Sequence, residues 1–321
     1  MATVFIGTSQ FAAGVLRRLA AGGHPPALVI TRPDRPAGRG RRLRPPPVGE
    51  LARELGLALE QPENVNAPGS LELIARALGS AGAEGAAVAA GGPDGRRVVI
   101  VCAFGALIKE PLLSAHEILN VHPSLLPRWR GAAPIERAIM AGDDRTGVSI
   151  MRLTAGLDSG PVCLAAQAPI GPADDYGALA ARLEELGAEL LVRALEEDPP
   201  CAEQSEQGVT YAEKITPADR LLDPARPAAE LERTVRALHP HIGARVRLTG
   251  GELLGVRRAA VLESAPAEDA GPADPGVFAR DGQLLLACTP GLLELLEVQP
   301  AGARPMEAGA YLRGHAAPGR R

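Results

Sequence analysis

The sequence predicts a chain in two parts, a mostly parallel, doubly wound α/β sheet followed by a small β-barrel or sandwich. Three observations predict it. Over residues 1–205 short apolar runs alternate with segments of helical period. After Pro199-Pro200 the pattern changes to short strand-like runs at close spacing, with Gly and Pro between them. The chain has 321 residues, enough for two medium domains. The expected division is a domain over 1–205, a second over 206–310 and a tail over 311–321.

Val4-Phe5-Ile6 ends at Gly7-Thr8 and reads as a buried strand turning into a helix over Phe11 to Ala20. Ala27 to Ile30 is a second strand that runs at Thr31 into an Arg/Pro/Gly loop. Helices over Val48 to Leu55 and Leu71 to Leu78 precede the strong strand Val98 to Ala103. Further strands fit Ile118 to His122 and Val148 to Leu153. Residues 176–196 form the clearest amphipathic helix, with Leu179, Leu183, Leu186, Leu190 and Ala194 at three- and four-residue steps and Asp174 or Asp175 as its cap. A stretch rich in Glu and Gln then reads as a linker. It leads to a helix over 227–238 and strands near 244–249, 252–262, 274–279, 283–287 and 292–299. Gly79 to Gly95 and Ser264 to Gly276 are Ala/Gly/Pro-rich and read as loops.

Hydrophobic residues make up 46% of the chain and charged residues 22%, which excludes a disordered chain. With four Phe, three Tyr and one Trp, the core must be built from Ala, Leu and Val. The longest strongly apolar run, Val98 to Ile108, is too short to span a membrane. Arg17-Arg18 follow the uncharged start instead of preceding it, the wrong order for a signal peptide. Cys102, Cys163, Cys201 and Cys288 lie far apart without a CxxC pair, so neither a zinc ribbon nor a disulfide scaffold is expected, and a reducing cytoplasm is the simple inference. Cys102 and Cys163 fit small buried hydrophobes better than nucleophiles. Net charge is −4, so a nucleic-acid partner requires a local basic patch. Residues 32–44 supply one: Arg32, Arg35, Arg39, Arg41, Arg42 and Arg44 against the single acid Asp34. Most such runs are solvated loops, but arginines on a mobile loop also follow phosphates and stack on unpaired bases.

Asn120 and His122 sit at the end of an apolar strand, and strand alternation puts both on one face. Pro123 cannot donate a ladder hydrogen bond and ends the strand. In open α/β sheets ligands bind beyond the carboxyl ends of the strands, where an amide donor and an imidazole would meet them. The alternative is a strand-end histidine satisfied by backbone. Asp158, in Leu157-Asp158-Ser159-Gly160-Pro161, arrives at the same end if the strand before it neighbours the Asn120–His122 strand; otherwise it serves its own turn. Gly7-Thr8-Ser9 lacks the second and third glycines of a dinucleotide-binding turn, so NAD is not expected.

Asn120-Val121-His122-Pro123-Ser124-Leu125-Leu126-Pro127, with Leu157-Asp158-Ser159-Gly160 downstream, resembles the signature of enzymes that transfer formyl from 10-formyltetrahydrofolate. Arg128-Trp129-Arg130-Gly131-Ala132-Ala133-Pro134-Ile135 and Pro33-Asp34-Arg35-Pro36-Ala37-Gly38-Arg39-Gly40 narrow the resemblance to the methionyl-tRNA formyltransferase family. It weakens, but persists, in Tyr211-Ala212-Glu213-Lys214 and Leu295 to Gly302. The resemblance implies a Rossmann-like formyltransferase domain followed by an OB-like β-barrel that helps hold tRNA. It implies catalytic positions at Asn120, His122 and Asp158, and a folate-lining segment Ser124, Leu125, Leu126, Pro127. It also implies tRNA contacts from Arg35, Arg39, Arg41, Arg42 and Arg44. The implied formyl donor is 10-formyltetrahydrofolate without a metal, and the implied partner is initiator methionyl-tRNA; since nothing in the sequence demands an interface, a monomer is expected. Some positions depart from the family pattern: Ser9-Gln10 replaces a Pro-acidic pair, Phe104 a Tyr, and His239-Pro240 a Trp-Pro, while Gly79 to Gly95 reads as an insertion. The rivals are a formyltransferase of this fold acting on a small amine, a 10-formyltetrahydrofolate hydrolase, and an RNA-binding module on a dead scaffold. The arginine loop and the second domain argue against the first, since a small substrate needs neither.

Overall fold

Runs of Val, Ile and Phe without a charge among them have no face to offer water, so they are buried on both sides within a sheet. The computed structural model describes residues 1–37, 42–79, 95–262 and 276–315. In chain order its elements begin with β1 (Ala2–Gly7), α1 (Gln10–Ala21), β2 (Leu28–Ile30), β3 (Arg35–Ala37), β4 (Arg42–Arg44), α2 (Pro47–Glu54), β5 (Leu59–Glu60) and α3 (Pro68–Ala77). There follow β6 (Arg97–Cys102), α4 (Leu112–Ala115), β7 (Glu117–His122), β8 (Arg130–Gly131), α5 (Pro134–Ala141), β9 (Arg145–Arg152), β10 (Val162–Pro169), α6 (Tyr176–Glu197) and β11 (Tyr211–Ala212). The remainder holds α7 (Ala228–Leu238), β12 (Ala244–Arg247), β13 (Leu253–Leu262), β14 (Gly276–Arg280), β15 (Gln283–Ala287), β16 (Leu292–Gln299), β17 (Met306–Glu307) and α8 (Ala308–Gly314).

The chain forms two compact units. The first comprises Met1–Pro134, Arg145–Pro169 and Ala180–Ala212, the second Ile135–Asp144, Ile170–Leu179 and Glu213–Arg321. In the first unit seven strands lie in the order β10-β9-β7-β6-β1-β2-β5. Every pair from β7 to β5 is parallel, and β9 alone runs against its neighbours β7 and β10. From β1 the chain goes outward one way through β2 and β5, then returns to the other side for β6 and β7, which makes a switch point between β1 and β6. One sheet face packs Val4, Ile6, Val99, Val101 and Ile118 against Ile74, Leu78 and Leu112. The other meets α6, whose Gly187 comes so close that a Cβ there would stand 3.1 Å from Val121 Cγ1. Ser9, one of the departures from the family pattern, caps α1: its hydroxyl accepts the Ala12 amide at 3.2 Å.

The second unit is an antiparallel sheet in the order β12-β13-β16-β15-β14, with β17 paired to β16. It curls into a half-barrel, bringing β12 and β14 into contact. Leu231, Val235 and Leu238 of α7 fill its concave side with Val246, Val256, Leu284, Leu286 and Leu295. Tyr311 of α8, within the segment expected as a tail, is buried in the same core.

Four features differ from the sequence expectation. Residues 35–37 and 42–44 pair as antiparallel strands rather than a loop. β10, antiparallel to β9 at the sheet edge, was not expected as a strand; its short apolar run Val162–Ala166 has the mixed exposure of an edge strand. Residues 201–212, expected as a linker, belong to the first unit and pair with it. Cys163 and Cys201 form a disulfide, because the bridge between Val162 and Ala202 brings together positions that are remote in sequence. Most of Gly79 to Gly95 and of Ser264 to Gly276 lies outside the described residues. Among the described residues no helix is long and apolar enough to cross a membrane.

Candidate active site

β7 places Asn120 beside Val101 of β6 and Met151 of β9, and His122 beside Ser149. Val121 points to α6, so Asn120 and His122 share the opposite face. Both are buried, at 7% and 4% exposure, although both are polar. Buried polar groups require partners. His122 has two: its Nε2 donates to the Trp129 carbonyl at 2.8 Å, and its Nδ1 lies 3.7 Å from Asp158 Oδ2. The carbonyl can only accept, so Nε2 carries a proton. The Asn120 carboxamide makes no hydrogen bond among the described residues.

Asp158 reaches His122 by a route that strand direction alone does not give. β9 does neighbour β7, as the site expectation required, but antiparallel, so it runs away from His122 toward Leu119. The connection between β9 and β10 doubles back and brings Asp158 to the imidazole. Asp158 has φ of +43°, a region that Asp tolerates better than most residues. Its Oδ2 also accepts the Gly131 amide at 2.8 Å. Asp158 thus lies in its own turn and within 3.7 Å of the imidazole.

The segment after His122 is folded by its own polar atoms. Ser124 is fully buried, its hydroxyl donating to the Arg128 carbonyl at 2.6 Å. Ser149, which shares His122's face, donates its hydroxyl to the Ser124 carbonyl at 2.8 Å and accepts the Leu126 amide at 3.2 Å. Ser124 thus shapes the segment, while Leu125, Leu126 and Pro127 are half-buried along it. Trp129 adopts φ of +65°, with the Arg128 guanidinium 4.4 Å above its ring. A bulky residue in that region stores strain that the surrounding structure must hold.

The groups that hold it come from residues 201–212, which sequence reasoning missed. Thr210 accepts the Trp129 amide on its hydroxyl at 2.9 Å and the Arg130 amide on its carbonyl at 2.9 Å. Tyr211–Ala212 pair parallel with Arg130–Gly131, and the Ala212 carbonyl accepts the Ala132 amide at 2.8 Å. The Gln204 amide donates to the Asp158 carbonyl at 2.9 Å and the Gly160 carbonyl at 2.7 Å, and its oxygen accepts Arg130 Nε at 3.0 Å. The only sequence signal was the Tyr211-Ala212 motif, which has no period.

The predicted arginines are placed in part. Arg35 and Arg44 are exposed and stand directly opposite each other across the β3–β4 pair; Arg42 lies on β4, and Arg39 and Arg41 fall outside the described residues. Cys102 is fully buried, and burial pushes its thiol far above the ordinary range, so no thiolate forms there near neutral pH. Cys163 is held in its disulfide.

The chain matches the family model described as formyl transferase over residues 1–195, and the one described as formyl transferase, C-terminal domain, over residues 214–316. A methionyl-tRNA formyltransferase of Methylococcus capsulatus is 42% identical, over 100% of this chain and 99% of that protein. One from Paracoccus denitrificans is 43% identical over 100% and 99%. The chain belongs to the methionyl-tRNA formyltransferases within that family. Among solved structures, a variant of HypX from Aquifex aeolicus shares the fold at a TM-score of 0.63 and 16% identity, over 97% of this chain and 48% of that one. An N-formyltransferase from Helicobacter canadensis shares it at 0.62 and 12% identity, over 92% and 99%.

Proposed function

We propose that the chain transfers the formyl group of 10-formyltetrahydrofolate to the α-amino group of initiator methionyl-tRNA, and that Asn120, His122 and Asp158 carry the chemistry. The membership of the family supports the reaction. The observation that carries the site is the approach of His122 Nδ1 to Asp158 beside an Asn120 carboxamide that has no hydrogen-bond partner among the described residues. A folate-type donor agrees with the family match and with a structural neighbour, HypX from Aquifex aeolicus, described in complex with tetrahydrofolic acid.

In the proposed reaction the neutral methionyl amine attacks the formyl carbon, a C–N bond forms and the carbonyl oxygen takes the negative charge. A reference pKa of about 7.7–8.0 keeps enough of that amine neutral near pH 7. The Asn120 amide donates to the oxyanion, and His122 joins it by turning its Nε2–H from the Trp129 carbonyl to the oxygen. Asp158 orients the imidazole and passes the amine proton, through water, toward N10 of the folate as the C–N10 bond breaks. No acyl-enzyme forms. Leu125, Leu126 and Pro127 supply an apolar flank for the folate.

The tRNA reading rests on charge. Arg35 and Arg44, opposed across two strands, repel each other, so the arrangement serves an anion better than it serves stability. Arg39, Arg41 and Arg42, in the same arginine-rich stretch of sequence, add to that charge. Incubation with 10-formyltetrahydrofolate and either charged initiator or charged elongator methionine tRNA tests the whole reading. Formylmethionyl product with the initiator is expected; release of formate alone, or formylation of small amines instead, would replace it with a rival.

A further inference from the structure

We infer that Gln204 is a positioning residue for Asp158, an inference that rests on the proposed catalytic site. One amide closes three bonds at once. Both of its N–H groups are spent on the loop that carries Asp158, at the Asp158 and Gly160 carbonyls, and its oxygen takes Arg130 Nε. Arg130 is itself buried, at 5% exposure, and its neighbour Gly131 donates to the Asp158 carboxylate. Gln204 therefore ties the loop bearing Asp158 to the strand that hydrogen-bonds Asp158. The Asp158 backbone is in the left-handed region and the loop has no strand pairing of its own across 153–161, so its position depends on such ties. The disulfide from Cys201 to Cys163, three residues from Gln204, fastens the segment that bears the amide.

The two ends of the amide do different jobs, and substitution separates them. Gln204→Glu keeps an acceptor for Arg130 but removes both donors to the 158–160 loop; Gln204→Ala removes all three bonds. If Gln204 works through Asp158, both variants lower kcat to a similar degree, on the order of 100-fold for a displacement near 1 Å, with KM for methionyl-tRNA changed less than about twofold. Their effect should largely vanish when Asp158 is already Asn, since residues acting as one unit are not additive. A purely structural role would instead give additive effects, or a Gln204→Glu variant that behaves like wild type.

Amide hydrogen exchange supplies a readout independent of activity. In Gln204→Glu and Gln204→Ala the Gly131 amide should lose protection while strand amides such as Ile150 keep theirs. Unchanged Gly131 exchange together with additive kinetics would overturn the inference. A wild-type protein without formyl transfer would instead sink the catalytic reading, while leaving the exchange result to be read on its own.

Discussion

Two regions of the first unit, the rim around His122 and the β3–β4 pair, are built by opposite means. At the rim, His122, Ser124 and Ser149 are buried and Asp158 half-buried, and each has a partner at hydrogen-bond or ion-pair distance. On β3–β4, arginines are exposed and like charges face each other. Precise placement of polar groups is what a transition state needs, whereas a concentration of positive charge is what a phosphate chain needs. The difference teaches where each kind of defect should appear. On the proposed reading, damage at the rim should change turnover and spare binding, and damage on β3–β4 should do the reverse.

The largest effects should come from the rim. Asn120→Ala, His122→Ala and Asp158→Ala should each cut turnover by roughly 100- to 1,000-fold, with tRNA affinity nearly intact. Near-normal turnover in Asp158→Ala would reduce that residue to its turn. Gly131→Ala should follow closely. Gly131 has φ of +119° and a Cβ there would stand 2.8 Å from the Ala212 carbonyl oxygen. The substitution should lower stability by about 1–3 kcal/mol and turnover with it, measured by thermal melting and by rate. A tolerated alanine would show that the pairing of β8 with β11 does not hold the site.

Smaller in rate, but specific to the other region, is neutralisation of Arg39, Arg41 and Arg42 together. Affinity for tRNA should fall, and the slope of log affinity against log salt should flatten by roughly one unit for each phosphate that is no longer neutralised. Saturating turnover should stay close to wild type. An unchanged salt slope would remove these arginines from the interface.

The smallest effect on activity should come from Asp219, in the second unit. Burial alone would raise its pKa, but hydrogen bonds from Arg137 and Thr216 prevail and hold it at about 2, against 3.8 for the free side chain. A folded-state pKa below the unfolded value contributes stability that is present above about pH 4 and is lost as pH falls toward 2. Asp219→Asn should therefore lower stability at pH 7, flatten the acid limb between pH 4 and 2, and leave turnover unchanged. An acid limb identical to wild type would contradict the assignment.

Periodicity made the main elements legible. The strands around Val98 and Ile118, the helix over 176–196 and the strands from 283 to 299 lie within a few residues of β6, β7, α6, β15 and β16. The placement of Asn120 and His122 on one face at the end of β7 was legible too, because strand alternation and a terminating proline set it. Asp158 was legible only as a possibility, since its approach depends on a loop that reverses an antiparallel strand. The 201–212 segment was opaque for a different reason. Its bonds run from side chains and isolated backbone groups to distant residues, so neither a 3.6-residue nor a two-residue repeat marks it. The disulfide was hidden likewise, because spacing says nothing of which loops a fold brings together.

The division of labour is tested most directly by a single-turnover measurement on Asp158→Asn, with 10-formyltetrahydrofolate and initiator methionyl-tRNA both saturating and the tRNA Kd measured alongside. A transfer rate lowered on the order of 100-fold or more, at a Kd within about twofold of wild type, is the predicted result. An unaltered rate, or a fall in rate matched by an equal fall in affinity, would contradict it.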